Sequence, residues 1–334
     1  METPTEKERN AGSLATILFW SILIGLLMVS SLYSYLLFHS LVEILIVIFA
    51  MATFIVGWSA RKQLENNYLL VAGIGFLFVG LTTVFHLLTF KGMGVFDSLD
   101  TNVPTQLWLA SRYLLVGTLL AAPFLMKRKV NVALAVATYV AATAILGGSI
   151  LFGVFPTAYV EGSGLTQFKI VSEYVLAALL VLAAYLLFRF RASFRQRTYY
   201  LLSAFVLINV GAELLFTTYF SVYDLANLLG HLFAATAFFV MFLALAAEAY
   251  ADPVRVLFSN LENSERKFRT IFEQAGSAIL VWSSEKRIID ANRMAVELLG
   301  YKREELVGMS LDTLMPPEHA AALGNSVATS PPEP

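Results

Sequence analysis

The sequence predicts a mainly α-helical, polytopic membrane protein: a bundle of eight transmembrane helices followed by a partial α/β module in the cytoplasm. Three observations carry this expectation. Hydrophobic residues make up 58% of the 334 positions and charged residues only 14%, whereas ordinary globular domains are about half apolar and a quarter charged. The apolar residues fall in runs of about 20, the length of a helix that crosses a bilayer, and not in the short alternating segments of a membrane barrel. After residue 251 the apolar pattern gives way to mixed polar sequence.

The composition also excludes several functions. A formal net charge of −1 gives no basis for binding nucleic acid. The chain has no cysteine, which removes disulfides, thiolate-bound metals, iron–sulfur clusters and cysteine nucleophiles.

Residues 1–13 form a short cytoplasmic N-terminus in which Glu2, Glu6, Lys7, Glu8 and Arg9 mix both signs. The run that follows is longer than a signal-peptide core and lacks a small-residue cleavage site, so it reads as a first anchor. Spans are expected at 14–37, 40–58, 68–90, 104–126, 130–155, 170–190, 198–220 and 224–250. Lys7, Arg9, Arg61, Lys62, Lys127, Arg128, Lys129, Arg189, Arg191, Arg195 and Arg197 all fall on one side, against Lys91 and Lys169 on the other. The positive-inside rule therefore places both termini in the cytoplasm. The run Gly73–Gly80 supplies small residues for close helix approach and is no nucleotide loop, because it lies within a span.

Ionisable residues inside the spans mark a site by default, because burying them is costly. At ~1.5 Å of rise per residue, His39 lies at the outer mouth of the second span, with Glu43 one turn deeper on the same face. His86 lies roughly one turn inside the third span and His231 about two turns inside the eighth. Arg112 and Glu213 are comparably deep, while Glu173 and Asp224 are expected near the outer surface. Three of the four histidines thus share one leaflet although they are far apart in sequence. On the inner side, charge is expected to be confined to the loops. His319 reads as a surface residue.

Beyond the spans, Asp252-Pro253 is expected to end or kink the eighth helix. Val254, Leu257, Leu261, Ser264, Phe268, Ile271 and Ala275 then fall on an a/d-like spacing over 252–275. Two readings fit this segment: a parallel homodimer seam, or an amphipathic linker helix packing on its own domain. From Ala278 the pattern turns to period two, and a hairpin is expected, with a polar turn at Ser284–Arg287 and a second strand from Ile288. Asn292 is placed to cap a helix over Arg293–Leu299, Gly300 to end it, and Arg303–Leu306 to form another turn. Residues 326–334 are polar and proline-rich and read as disordered.

The stretch FEQAGSAILVWSSEKRIIDANRMAVELLGYKREELVGMSLDTLMPPE, residues 272–318, resembles the first half of a PAS domain, a small α/β sensor or relay module expected here over 276–325. The segments HSLVEI (39–44), NNYLLVAGIGFLFVGLTTVFHLLTFKGMGVF (66–96) and PTQLWLASRYL (104–114) resemble the third class of membrane-associated sensor domains, the MASE group. This resemblance spans residues ~15–250. It implies a sensory input domain in a prokaryotic cell membrane, preceding PAS, histidine kinase or diguanylate cyclase modules. The sequence holds no phosphoacceptor histidine box, nucleotide-binding ATPase motif or GGDEF-type motif. No catalytic residue is therefore expected, and the output module is expected to lie outside this sequence.

Several readings of the outer cluster are open. His39, His86 and His231, with Glu43 or Glu213, supply donors suited to zinc, copper or iron, and two facing histidines suit haem. The cluster also fits a pocket for a small polar or amphiphilic ligand, with Arg112 pairing a carboxylate between Trp108 and Tyr113. Histidines titrating near ~6.5 suit pH sensing. A purely structural reading has Glu43 satisfied by Arg112, and His86 and His231 as interhelical hydrogen bonders. The reading from another class is a membrane enzyme or transporter, against which stands the lack of internal repeats.

Overall fold

The computed structural model describes residues 6–61, 67–96, 100–126, 128–218 and 224–314, with no side chains described for 6–13 and 250–263. His319 and the tail 326–334 lie outside the described residues. The chain divides into two compact units, 1–253 and 254–334.

In the first unit the apolar runs form α1 (Glu6–Tyr33), α2 (Tyr35–Ala60), α3 (Tyr68–Thr89), α4 (Asn102–Leu125), α5 (Val132–Leu151), α6 (Gln167–Arg189), α7 (Gln196–Leu215) and α8 (Leu225–Gln274). Eight of these helical stretches are long and apolar enough to cross a membrane. In hydrocarbon only a helix satisfies every backbone donor and acceptor from within the segment. The centre of the unit is the α3–α4 pair, whose spans are 78% and 67% buried, against 6% for α1 and for α5.

Local chemistry sets the boundaries. Ser34 separates α1 from α2 with extended backbone, and its hydroxyl accepts from the Leu37 amide at 3.4 Å. The break thus comes earlier than the sequence pattern suggests, because Tyr35 to Phe38 continue the second helix. His39 consequently lies inside α2 and is fully buried. Pro104 sits in the first turn of α4, where its missing N–H costs no helical bond. A small hairpin, β1 (Tyr159–Val160) with β2 (Gly164–Leu165), connects α5 to α6. It is fastened to the start of α4: Asn102 Oδ1 accepts from the amides of Ala158 and Tyr159, and Gln106 Nε2 donates to the carbonyls of Phe155 and Pro156.

The glycines of α3 allow close crossings. A Cβ on Gly75 would lie 2.4 Å from Thr118 Oγ1, and one on Gly73 would lie 3.6 Å from the Gly57 Cα. Charge is not confined to the loops at the far end of the bundle. Glu248 of α8 is buried there, accepts from Thr198 Oγ1 at 2.5 Å and faces Arg195 Nε at 3.7 Å. The start of α7 favours a carboxylate, since its first amides lack helical partners. Nor does Asp252-Pro253 end the helix, since α8 runs through to Gln274.

In the second unit β3 (Leu280–Trp282) pairs antiparallel with β4 (Ile288–Ala291) around the expected polar turn. Three short helices follow, α9 (Arg293–Leu299), α10 (Arg303–Leu306) and α11 (Leu311–Leu314). Ile288, Ala291, Ala295, Leu306 and Leu311 form the core. Asn292 organises this unit. Its Oδ1 accepts from the amides of Ala295 and Ile279, and its Nδ2 donates to the carbonyls of Phe272 and Ser277 at 2.9 Å. Gly300 ends α9 with φ +75°, a left-handed conformation that glycine adopts without steric cost. Arg303 pairs with both Glu273 and Asp290.

Gly75→Leu is expected to lower the melting temperature in detergent by forcing α3 from α4, an overpacking cost of ~1–3 kcal/mol. Gly25→Leu serves as the control, because a Cβ there meets nothing within 4 Å. Asn292→Ala is expected to increase amide hydrogen exchange across residues 277–311 and leave exchange in α3 and α4 unchanged.

Candidate functional site

Three helices bring four donors to one end of the bundle. α2 presents His39 and Glu43 one turn apart on the same face. α3 presents His86 close to its C-terminus, and α8 presents His231 in its second turn. One donor atom from each of the four lies within 4.8 Å of all the others, and all four residues are buried.

The backbone sets the orientation of two rings. His86 Nδ1 lies 2.7 Å from the Pro104 carbonyl, and His231 Nδ1 lies 2.7 Å from the Asn227 carbonyl. A carbonyl only accepts, so each Nδ1 carries the proton, and in the neutral ring Nε2 carries the lone pair. Those Nε2 atoms point inward, at 3.8 Å and 3.2 Å from Glu43 Oε1. A ring lone pair and a carboxylate oxygen are both acceptors, and a cation or a proton between them is what reconciles them. The two Nε2 atoms, both His39 nitrogens and both Glu43 oxygens are buried with no hydrogen-bond partner. His39 is held by stacking on Phe90 at 3.7 Å, with the His86 and His231 rings at 5.3 and 5.0 Å.

A cavity of about 40 Å³ beside the donors is walled by His39, His86, Phe90, Lys91, Trp108 and His231 among others, and Glu43, like Arg112, is not part of its lining. That holds one ion or a water or two. A porphyrin has no room there, so haem does not fit, and the space is far below the ~300–1,000 Å³ of ordinary small-molecule pockets. Nitrogen and carboxylate donors in a dry, compact space suit a borderline divalent ion such as zinc, copper or nickel.

Arg112 and Glu213 supply no atom to the group of four donors, although the Arg112 charge acts on both Glu43 and His86. Arg112 and Glu213 form a second buried cluster, with Arg112 Nε 3.8 Å from Glu213 Oε1 and Arg112 Nη1 3.5 Å from Asn209 Oδ1. The Arg112 guanidinium lies 3.9 Å from the Trp108 ring centre, and Trp108 in turn contacts His86 and His231. Trp108 and Phe216 wall the histidine cavity, and Arg112 is not part of its lining.

Beside this cluster is a buried pair that the sequence reading left unassigned. Lys169 and Glu173 pair one turn apart in α6, and both are inaccessible to solvent. Glu173 lies in the second turn of α6, close to the helix end, but its carboxylate is buried in protein against Lys169. The i, i+4 spacing of opposite charges was the available signal. Together, Glu43, Glu173 and Glu213 set three carboxylates against Arg112 and Lys169 at this end of the bundle.

Compared with known protein families, residues 30–253 match the membrane-associated sensor domain of the third MASE class. The chain belongs to the membrane-associated sensor domain family. Residues 266–329 match the PAS fold. A membrane-associated sensor domain followed by PAS is a sensory input arrangement of signalling proteins, and both domains are non-catalytic. All four donors of the histidine cluster lie within the matched sensor domain. No curated protein and no solved structure gives a significant match to the chain.

Arg112→Leu alone is expected to destabilise the sensor domain, since breaking a buried pair costs ~3–5 kcal/mol. The double variant Arg112→Leu/Glu213→Leu is expected to recover most of that loss. Thermal unfolding in detergent reads both, and a double variant as unstable as the single one contradicts the pairing.

Proposed function

We propose that this protein is the sensory input part of a signalling protein in a prokaryotic cytoplasmic membrane, and that its stimulus is one divalent transition-metal ion bound by His39, Glu43, His86 and His231. One observation carries the reading: three imidazoles and a carboxylate converge within 4.8 Å while their inward donor atoms have no hydrogen-bond partner. The Pro104 and Asn227 carbonyls serve as the outer-shell acceptors that metal-bound histidines ordinarily use. The basic residues of the loops support an orientation with both termini in the cytoplasm and the histidine end facing outward.

The geometry supports a route for the signal. Tetrahedral donors at ~2.0–2.1 Å from zinc lie roughly 3.3 Å apart, closer than the widest separation of 4.8 Å. Binding therefore draws α2, α3 and α8 together at this end. An ion that prefers the drawn-in packing shifts the population toward it. α8 carries His231 and continues to Gln274, so the proposed signal passes along the chain from the donor cluster to the PAS part, with an output of histidine kinase or diguanylate cyclase type. Phe268 and Ile271 are exposed, in keeping with the proposed homodimer seam over 252–275.

Metal analysis of purified protein, followed by titration with zinc, copper and nickel, tests this reading. One ion per chain is expected, with affinity at least ~10-fold weaker in His39→Ala, His86→Ala, His231→Ala and Glu43→Gln. Arg112→Leu/Glu213→Leu is expected to bind as wild type. Absence of stoichiometric binding by the wild-type protein would falsify the metal reading.

A further inference from the structure

We propose that the crevice between α5 and the α3–α4 pair is a binding site for an anionic phospholipid, with an acyl chain along α5 and the phosphate on Arg128 and Lys129. This goes beyond the sensor reading and does not depend on the metal.

α5 is barely packed into its own protein. Ile150 is its one buried residue, and the span is 6% buried. Between it and the central pair run two crevices, of about 700 Å³ toward the Lys129 end and about 390 Å³ toward the histidine end. Leu114 and Leu146 line both, so the two join end to end along α5. A Cβ built on Gly117 or on Gly147 meets nothing within 4 Å, so protein atoms leave these walls uncovered. A void of this size beside hydrocarbon forfeits dispersion contacts unless something apolar fills it.

The chemistry of the larger crevice specifies the occupant. Its hydroxyls are already engaged. Thr118 bonds the Leu114 carbonyl and the Tyr139 hydroxyl, Thr138 bonds the Leu134 carbonyl, and Tyr113 bonds Ser172. Each of these hydroxyls has a partner, so a hydrocarbon chain fits against them, while in the smaller crevice the Thr143 hydroxyl is buried without one. The polarity changes at one end, where Arg128 and Lys129 line the mouth and, among the described residues, no acidic one does. The backbone holds this end in place: Asn67 Nδ2 donates to the Arg128 carbonyl at 2.6 Å, and the Asn67 amide donates to the Met126 carbonyl. Two adjacent cations at the end of an apolar slot match a phosphate attached to an acyl chain. With the termini cytoplasmic, they face the leaflet surface where anionic headgroups concentrate.

Native mass spectrometry of the full chain tests the assignment, with phosphatidylglycerol and phosphatidylcholine of identical acyl chains as probes. Wild type is expected to retain phosphatidylglycerol preferentially. Arg128→Gln/Lys129→Gln, at exposed positions that do not threaten folding, is expected to lose that preference, with retention about fivefold weaker per cation removed. Gly117→Phe fills the crevice from a position with open space and is expected to weaken retention of both lipids. Equal retention of the two lipids by wild type overturns the proposal. So does unchanged retention of phosphatidylglycerol in the charge variant, or its displacement by millimolar inorganic phosphate, which would mark a site for the free anion.

Discussion

A charge placed inside an apolar bundle has to be answered by another, and the arrangement of this protein follows from that requirement. Glu43 is the decisive case. It sits fully buried in α2 with neither carboxylate oxygen hydrogen-bonded, and the groups turned toward it are His86 and His231. Those rings are aimed by carbonyls of α4 and α8, so four helices are tied to the position of a single carboxylate. The neighbouring Arg112–Glu213 and Lys169–Glu173 pairs set opposite charges together across α4, α7 and α6, although both Glu213 oxygens and Arg112 Nε and Nη2 are buried without a hydrogen bond. The core of the sensor domain is polar at one end and apolar through the middle, where Phe76, Phe205 and Phe238 pack.

Much of the architecture was readable from the chain. Runs of twenty apolar residues admit only a helix, so number and order came directly, and the hairpin and capping of the second unit followed from period-two alternation and Asn292. The boundaries were less accessible. Ser34 ends α1 because its hydroxyl caps α2, a signal masked by the apolar residues on both sides. At the site, common depth brought His39, His86 and His231 together correctly. Depth says nothing of azimuth, however, so it could not show that Arg112 pairs with Glu213 or that Trp108 lies against Arg112 and against the His86 and His231 rings. Lys169 and Glu173 lie near a span end, so the sequence pattern expects them at the outer loops and surface, and it gives no reading of Glu248. Whether such a residue is buried depends on what packs over it, which is a property of the tertiary structure.

The periphery follows a different logic from the core. α1 and α5 bury little against the protein and leave their apolar faces to the bilayer. The hairpin between α5 and α6 is fastened to α4 by side-chain bonds to backbone, a connection that depends on geometry more than on apolar area. The donors themselves sit on α2, α3 and α8, so only His86 belongs to the central pair.

The distribution of the donors also constrains how the protein is made. Glu43 and His231 are 188 positions apart by their numbers in the chain, on the second and last spans. At ~5–20 residues per second, α2 enters the membrane tens of seconds before its partner helix is synthesised. Until then Glu43 resides in lipid without its counterpart. The cluster can close only once the last span has inserted in the correct orientation, and a chain with one helix misplaced retains a stranded carboxylate. The four donors can therefore meet only after α8 has been made, the latest of the three helices that carry them.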